Sequence, residues 1–436
     1  MATVMVVGSG GREHAQAMKL AASPAVAKVL VAPGNGGTAG SHEKLSNLSV
    51  KDSDIPGLVA AAKENGVSLV AVGPEAPLVV GIADALAEAG IHCFGPTKAA
   101  AELENSKAWM KEFFIRHGLP TARHKTFTDF EAAKAHVTSI DYPVVVKCSG
   151  LAAGKGVLMP TSKEETVDAL KQVMVDKAFG AAGDECVVEE RLEGPECSVL
   201  AFCDGTTAAC MPGAQDHKRA LDGDEGLNTG GMGAYCRAPC LTPALATEVS
   251  DIVQRTVTAL AAEGRTYVGV LFAGLMLTKD GPKLLEYNCR MGDPETQVVL
   301  PLLASDLYEV MRACCEGRLA QCEVAWSSQS AATVVMAAAG YPGAYKKGAP
   351  IVGLAEAGAL EGVTVYHAGT KAAEGGAAGH LTNGGRVLAV TGVGADLSSA
   401  VARAYEGVAK IRFECAEGAH YRRDIAAKAS VAAAGS

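Results

Sequence analysis

Apolar positions along this chain fall into two patterns. Short unbroken runs at residues 3–7 (TVMVV), 28–32, 69–72 and 91–94 each end in a glycine- or proline-rich turn, and helical spacing fills the intervals between them. That alternation predicts an α/β unit with an open parallel sheet and ligand at the strand ends, closing near residue 103. A helix opens at Ser106-Lys107 and runs to Arg116, with Trp109 and Phe113 as core aromatics. Strands are predicted at 142–148 (YPVVVKC) and 186–190 (CVVEE), and helices at 245–263 and 300–319. Residues 215–219 and 228–234 show no period and are polar and glycine-rich, so they read as binding loops. The apolar run 268–277 pairs through an Asp280-Gly281 turn with a strand at 283–287. Past Trp326, strands at 332–338, 363–367 and 386–391 and a helix at 398–411 form a small C-terminal α/β unit, and the final AAKASVAAAGS is expected to fray.

Composition narrows the class. A chain of 436 residues is too long for one core and predicts about two to four packed units. With 39 basic against 48 acidic residues the net charge is −9, and no Lys/Arg run stands out, which argues against nucleic acid or a membrane surface as partner. No apolar run reaches membrane-spanning length, and the N-terminus enters a strand without a signal pattern. The thirteen cysteines are scattered, with no CxxC pair, and read as reduced core residues. A cytoplasmic, soluble chain is expected.

Candidate chemistry concentrates between Lys279 and Thr296 (KDGPKLLEYNCRMGDPET). Glu286 and Asn288 share one face of a strand, and a carboxylate beside an amide oxygen suits Mg²⁺. Arg290 has the same parity, and Asp293 and Glu295 add carboxylates. A dense polar cluster after an apolar strand is unusual unless it has a use. Lys147 ends an apolar strand and needs an anionic partner. The loop 149–156 (SGLAAGKG) is not a Walker A motif, because its glycines flank three residues and Gly156 follows the lysine; it suits a lid over phosphates, or serves simply as a hairpin loop. The turn Gly8-Ser9-Gly10-Gly11-Arg12 opens a helix N-terminus where an anion could sit. Glu13 replaces the third glycine of a dinucleotide fingerprint and the ribose acid is missing, so a mononucleotide or sugar phosphate is favoured over NAD, although such a turn also occurs as structure alone. His217, between Asp216 and Lys218, reads as a surface residue and receives no catalytic role.

Together these stretches resemble the ATP-grasp superfamily, and within it the glycinamide ribonucleotide synthetase family. The motifs GSGGREHA, PGN, VGPEAPL, SGLAAGKG, QDHKR, NTGGMGAY, EYNCRMGDPETQ, HAGT and TNGGRVL stand in that family's order across residues 1 to 426. The resemblance implies an ATP-grasp fold with an N-terminal substrate-binding domain at 1–103 and a central domain at 104–122 and 193–325. It also implies a mobile lid lobe at 123–192 and a C-terminal domain at 326–436. It implies ATP-dependent joining of glycine to 5-phosphoribosylamine through glycyl phosphate, with ATP and Mg²⁺ (or Mn²⁺) as cofactors and neighbouring purine-pathway enzymes as transient partners.

By the same resemblance Glu286 and Asn288 hold the metal, and Lys107 and Lys147 meet phosphates under a lid carrying Gly154, Lys155 and Gly156. Glu189, Glu190 and Leu192 line the adenine, and Glu196 takes the ribose. Arg290 and Lys155 act on the transferring charge. Gly10, Gly11, Arg12, Glu75, Asp216 and Lys218 hold phosphoribosylamine with the loop Asn228, Thr229, Gly230, Gly231, Met232 and Gly233. One departure from the superfamily is Gly274, where many members carry a further metal-binding acid. Three other readings stay open: an ATP-grasp enzyme using bicarbonate or formate, an NAD-dependent oxidoreductase, and a nucleotide sensor without catalysis.

Overall fold

A computed structural model describes residues 1–152, 156–373 and 379–429. Gly154 and Lys155, expected at the tip of the lid loop, lie outside the described residues.

Five parallel strands form the N-terminal sheet in the order Leu45–Asn47, Val26–Pro33, Ala2–Gly8, Val67–Val72, His92–Phe94. The chain builds outward from Ala2–Gly8 on one side and then crosses to the other, so the end of that strand is the switch point where such sheets leave a crevice. Its unbroken apolarity follows from burial on both faces. Val4 and Val6 pack in one core with Leu20 and Val31, and Met5 and Val7 in another with Leu58 and Leu78.

A separate four-stranded antiparallel sheet spans His124–Phe127, Cys186–Glu190, Val144–Cys148 and Val157–Leu158 in that spatial order. It has its own core, in which Val146 and Val188 meet Ala133 and Val137 of the helix Phe130–Ser139 and Leu170 and Val173 of the helix Lys163–Met174. The largest sheet runs from the hairpin Gly281–Asn288 and Val268–Thr278 through Glu196–Asp204, Ala214–Asp216 and Gly233–Cys236. It continues without a break into Ser330–Ala338, Arg386–Gly394 and Val363–His367, so the C-terminal strands extend the central sheet.

Three expectations are corrected. The span 215–234 is not free of regular structure: Arg219–Leu221 pairs with Glu225–Asn228, and Ala214–Asp216 with Gly233–Cys236. These strands are too short for periodicity to reveal; Ala214–Asp216 and Gly233–Cys236 are held by sheet neighbours on both sides, and the other two only by each other. His217 is fully buried, not superficial. Its Nε2 accepts the Ala426 N–H at 3.0 Å, and burial lowers its pKa to about 3. The helix expected at 300–319 is broken: Leu303 is extended after the Leu300–Leu302 turn, and a new helix, Leu307–Cys315, starts where Asp306 accepts the Tyr308 N–H at 2.9 Å.

Candidate active site

The hairpin end places the first site residues. Glu286 stands opposite Gly274 and Asn288 opposite Phe272, so both side chains leave the same face. Four cations converge on Glu286: desolvation opposes its charge, but Lys107, Lys147, Lys218 and Arg290 outweigh it and bring its pKa down to about 2. Lys107 Nζ lies 3.8 Å from its carboxylate. Lys107 opens the Lys107–Arg116 helix, whose N-cap Ser106 accepts the Trp109 N–H. The Lys107 N–H donates to Ser149 O at 2.9 Å, tying that helix start to the loop after Val144–Cys148.

Lys147 finds the anionic partner its burial demands. Glu189 Oε2 accepts from Lys147 Nζ at 3.0 Å and pairs with Lys111 Nζ at 3.2 Å. Lys111 is wholly enclosed and also donates to Thr121 Oγ1 at 2.7 Å. Its burial lowers its pKa to about 8 against the pull of Glu189, whose carboxylate it pairs with at 3.2 Å. Glu189 stays ionised because Lys147 and Lys111 overcome its desolvation, and its Oε1 has no hydrogen-bond partner among the described residues. Beside it, Glu190 is held in two 2.8 Å bonds by Arg123, and Leu192 is half-buried where the strand gives way to a loop. Glu196, at the start of its strand, pairs with Lys218 at 2.5 Å. Gly156 packs against Cys148, where an added Cβ would lie 3.1 Å from the Cys148 Cβ.

On the opposite wall Arg290 reaches three side-chain acceptors: Glu75 Oε2 at 3.3 Å, Glu104 Oε1 at 3.0 Å and Asn288 Oδ1 at 3.1 Å. Burial acts against the guanidinium, but Glu104 and Glu75 hold its pKa above the ordinary value. The N-terminal turn lies alongside. Arg12 Nη1 and Arg290 Nη1 both donate to Met291 O, at 3.1 and 3.2 Å. The helix N-terminus expected to receive an anion already has one: Glu13 accepts the Gly10 N–H and Arg12 Nε, each at 2.5 Å. A Cβ on Gly11 would sit 2.7 Å from Gln297 Nε2, so this turn packs flush against the 293–297 segment.

The Asn228–Gly233 loop spans two environments. Thr229 Oγ1 donates to Lys218 O at 2.9 Å and accepts the Gly231 N–H at 2.9 Å. Arg386 Nη1 collects Gly230 O at 2.6 Å and Asp293 O at 2.9 Å. Met232 and Gly233 are buried in the sheet. Asp216 is half-buried and desolvation raises its pKa. Glu295 nearby is pushed up to about 7, by burial first and then by Asp216.

Residue spacing missed Lys111, Glu104 and Arg386 as site residues. Lys111 and Glu104 carried no signal beyond lying within a turn or so of Lys107, whereas Arg386 sits in the noted TNGGRVL turn. Among the described residues no cluster of three or more His, Cys, Asp or Glu side chains is arranged for a metal. The oxygen pair of Glu286 and Asn288 still fits Mg²⁺, which takes few protein ligands and completes its octahedron with phosphate and water.

A parallel nucleotide-type sheet, a separate antiparallel lobe and a cation-ringed cleft between them define an ATP-grasp protein. The chain belongs to the phosphoribosylglycinamide synthetase family: residues 2–104 match its N domain, 105–296 its ATP-grasp (A) domain and 331–428 its C domain. It is similar to the phosphoribosylamine--glycine ligase of Vibrio vulnificus (strain CMCP6), at 49% identity over 428 residues and 98% of each chain. The trifunctional purine biosynthetic protein adenosine-3 of Homo sapiens is 54% identical over 431 residues, which make up 98% of this chain but 42% of that protein. This chain thus spans less than half the length of the animal proteins it matches. The crystal structure of the phosphoribosylamine--glycine ligase of Thermotoga maritima superposes with a TM-score of 0.83 at 32% identity, covering 97% of this chain and all of that one. Among the described residues no helix is long and apolar enough to cross a membrane.

Proposed function

We propose that this chain joins glycine to 5-phosphoribosylamine with ATP, giving glycinamide ribonucleotide, ADP and phosphate. The observation that carries the reading is Glu286, held ionised among Lys107, Lys147, Lys218 and Arg290 with Asn288 beside it. Such a cleft suits phosphoryl transfer, which asks for positioning and charge neutralisation more than for a nucleophilic side chain. In the proposed sequence a glycine carboxylate oxygen attacks the γ-phosphorus of ATP, and ADP leaves. The amine of phosphoribosylamine then attacks the carbonyl carbon of glycyl phosphate; phosphate departs and the nitrogen loses a proton.

Glu286 and Asn288 would hold Mg²⁺ or Mn²⁺, which would neutralise phosphate charge. Lys107 and Lys147 would meet the phosphates, Glu189, Glu190 and Leu192 the adenine, and Glu196 the ribose. Arg290 would offset charge on the transferring group. Gly10, Gly11, Arg12, Glu75, Asp216, Lys218 and the 228–233 loop would hold phosphoribosylamine. The 123–192 lobe, with its own sheet and core, would close as the lid over a substrate-binding 1–103 domain, a 104–122 and 193–325 centre and a 326–436 C-terminal domain. The setting would be cytoplasmic, and transient contact with other purine-pathway enzymes fits the trifunctional and bifunctional purine biosynthetic proteins among the relatives.

The test is ADP release with Mg-ATP, glycine and phosphoribosylamine made in situ, each omitted in turn. Release that needs both glycine and the amine, with glycinamide ribonucleotide appearing in step, is expected. Release that ignores glycine but follows bicarbonate or formate would move the assignment to another carboxylate.

A further inference from the structure

We propose that Glu104 is a positioning residue that sets the orientation of Arg290 and of the Asn288 amide. Glu104 lies at the end of the Lys98–Asn105 helix and is 7% exposed. It holds the strand end at two points. Its Oε2 accepts the Cys289 N–H at 2.6 Å, fixing the backbone between Asn288 and Arg290. Its Oε1 lies 3.0 Å from Arg290 Nη2.

That same nitrogen donates to Asn288 Oδ1 at 3.1 Å. A guanidinium has donors only, so the amide of Asn288 must turn its oxygen, not its nitrogen, toward Arg290. An amide free to rotate would offer a metal its NH₂ group in half of its orientations. Here the Glu104–Arg290–Asn288 chain selects the oxygen, and the second lone pair of Oδ1 is left for a hard cation beside Glu286. Glu75 holds the far side of the same guanidinium through Nε at 3.3 Å, so Arg290 cannot swing to present a different nitrogen without breaking both contacts.

The inference rests on the metal and Arg290 roles proposed above. Its test is a titration of Mn²⁺, followed by electron paramagnetic resonance, on the full chain with a non-hydrolysable ATP analogue, together with steady-state kinetics. Glu104→Gln is expected to weaken Mn²⁺ binding about 10-fold and to lower kcat by about 10-fold or more, the range seen for outer-sphere partners of metal ligands. KM for ATP should stay within about threefold, because the lost contact acts on geometry more than on nucleotide binding. In an Arg290→Lys background the same change should add less than about threefold, since the arginine is the route by which Glu104 acts.

Equal losses in both backgrounds, or unchanged Mn²⁺ binding in Glu104→Gln, would overturn the proposal. Should Glu104→Gln fail to fold, Glu104→Asp, which keeps the charge but is too short to hold both partners, carries the same cycle with the same criteria. Asn288→Leu separates the two levels. If it leaves Mn²⁺ binding intact, the metal assignment itself fails; if it abolishes binding while Glu104→Gln does not alter it, only the role of Glu104 fails.

Discussion

The two walls of the cleft solve the same problem with opposite stoichiometry. On the lobe side, two cations, Lys111 and Lys147, share the single carboxylate of Glu189. On the N-terminal side, one cation, Arg290, is shared by two carboxylates, Glu75 and Glu104. The first group carries one positive charge in surplus; the second, with both carboxylates ionised, carries one negative, and burial with Glu75 beside it raises the pKa of Glu104 against the pull of Arg290. Buried charge without compensation is costly, so each surplus points to what would complete it: an anion at the lysine pair, a cation near the arginine. The phosphates of ATP and the metal that accompanies them have those signs. The difference teaches that Arg290 is a braced side chain, whereas the lysine pair is under-neutralised and ready for ligand charge.

The strongest way to break the contrast is Glu286→Ala, which removes the carboxylate between the two groups. Turnover should fall on the order of 1000-fold or more, beyond the 10–100-fold typical of outer-sphere changes. Melting should stay within a few degrees, since the side chain lies two residues before its strand's end and belongs to no apolar core. Near-normal turnover at saturating Mg²⁺ would show that the metal lies elsewhere. Next is Arg290→Lys, which keeps the charge but loses the fork that meets Glu75, Glu104 and Asn288 together. A fall of about 10–100-fold in kcat with ATP KM nearly unchanged is expected, below the roughly 100–1000-fold for a wholly lost transition-state donor because the charge is kept; a pure loss of ATP affinity would reduce Arg290 to a binding residue.

Lys111→Met sharpens the other wall. With one lysine and one carboxylate left, the surplus disappears, and ATP affinity should fall about tenfold, equal to about 1.4 kcal/mol. Because Lys147 stays paired with Glu189 at 3.0 Å, no buried carboxylate is left without a cation, and the midpoint in denaturant should move little. Unchanged ATP affinity would mean that the surplus has no part in nucleotide binding.

The last test concerns buried bases kept neutral, the opposite case to both ion groups. Burial lowers the pKa of His14 to about 4 and those of His217 and His367 to about 3. The unfolded chain binds more protons than the folded one between these values and about 6.5, so stability is lost as pH falls through that window. Each histidine contributes up to about 1.4 kcal/mol per pH unit there. Thermal unfolding at pH 7 and pH 5 should show the drop, and His217→Gln should make it shallower.

Much of the fold was legible because its signals are local. Strand 186–190 and strand 363–367 match their observed bounds, since short segments built on Val187-Val188 and Val363-Thr364-Val365 between turns have few alternatives. The long hairpin was readable from its Asp-Gly turn, and the shared face of Glu286 and Asn288 from the pleat alone. The failures share a cause. His217 looked superficial because Asp216 and Lys218 flank it, yet the Ala426 N–H, far away in sequence, supplies its partner. The 300–319 helix looked continuous because apolar spacing hides the break that Leu303 and Asp306 impose.

By itself the sequence determined the α/β alternation, the strand ends that carry the chemistry and the motifs that resemble one family, because backbone propensity, pleat parity and glycine turns act over a few residues. Only the tertiary structure decided which charges meet. Glu104 lies 186 positions before Arg290, and Lys111 lies 78 before Glu189. Ion pairs and shared carbonyls such as Met291 O depend on how separately folded elements dock, and no local period encodes that.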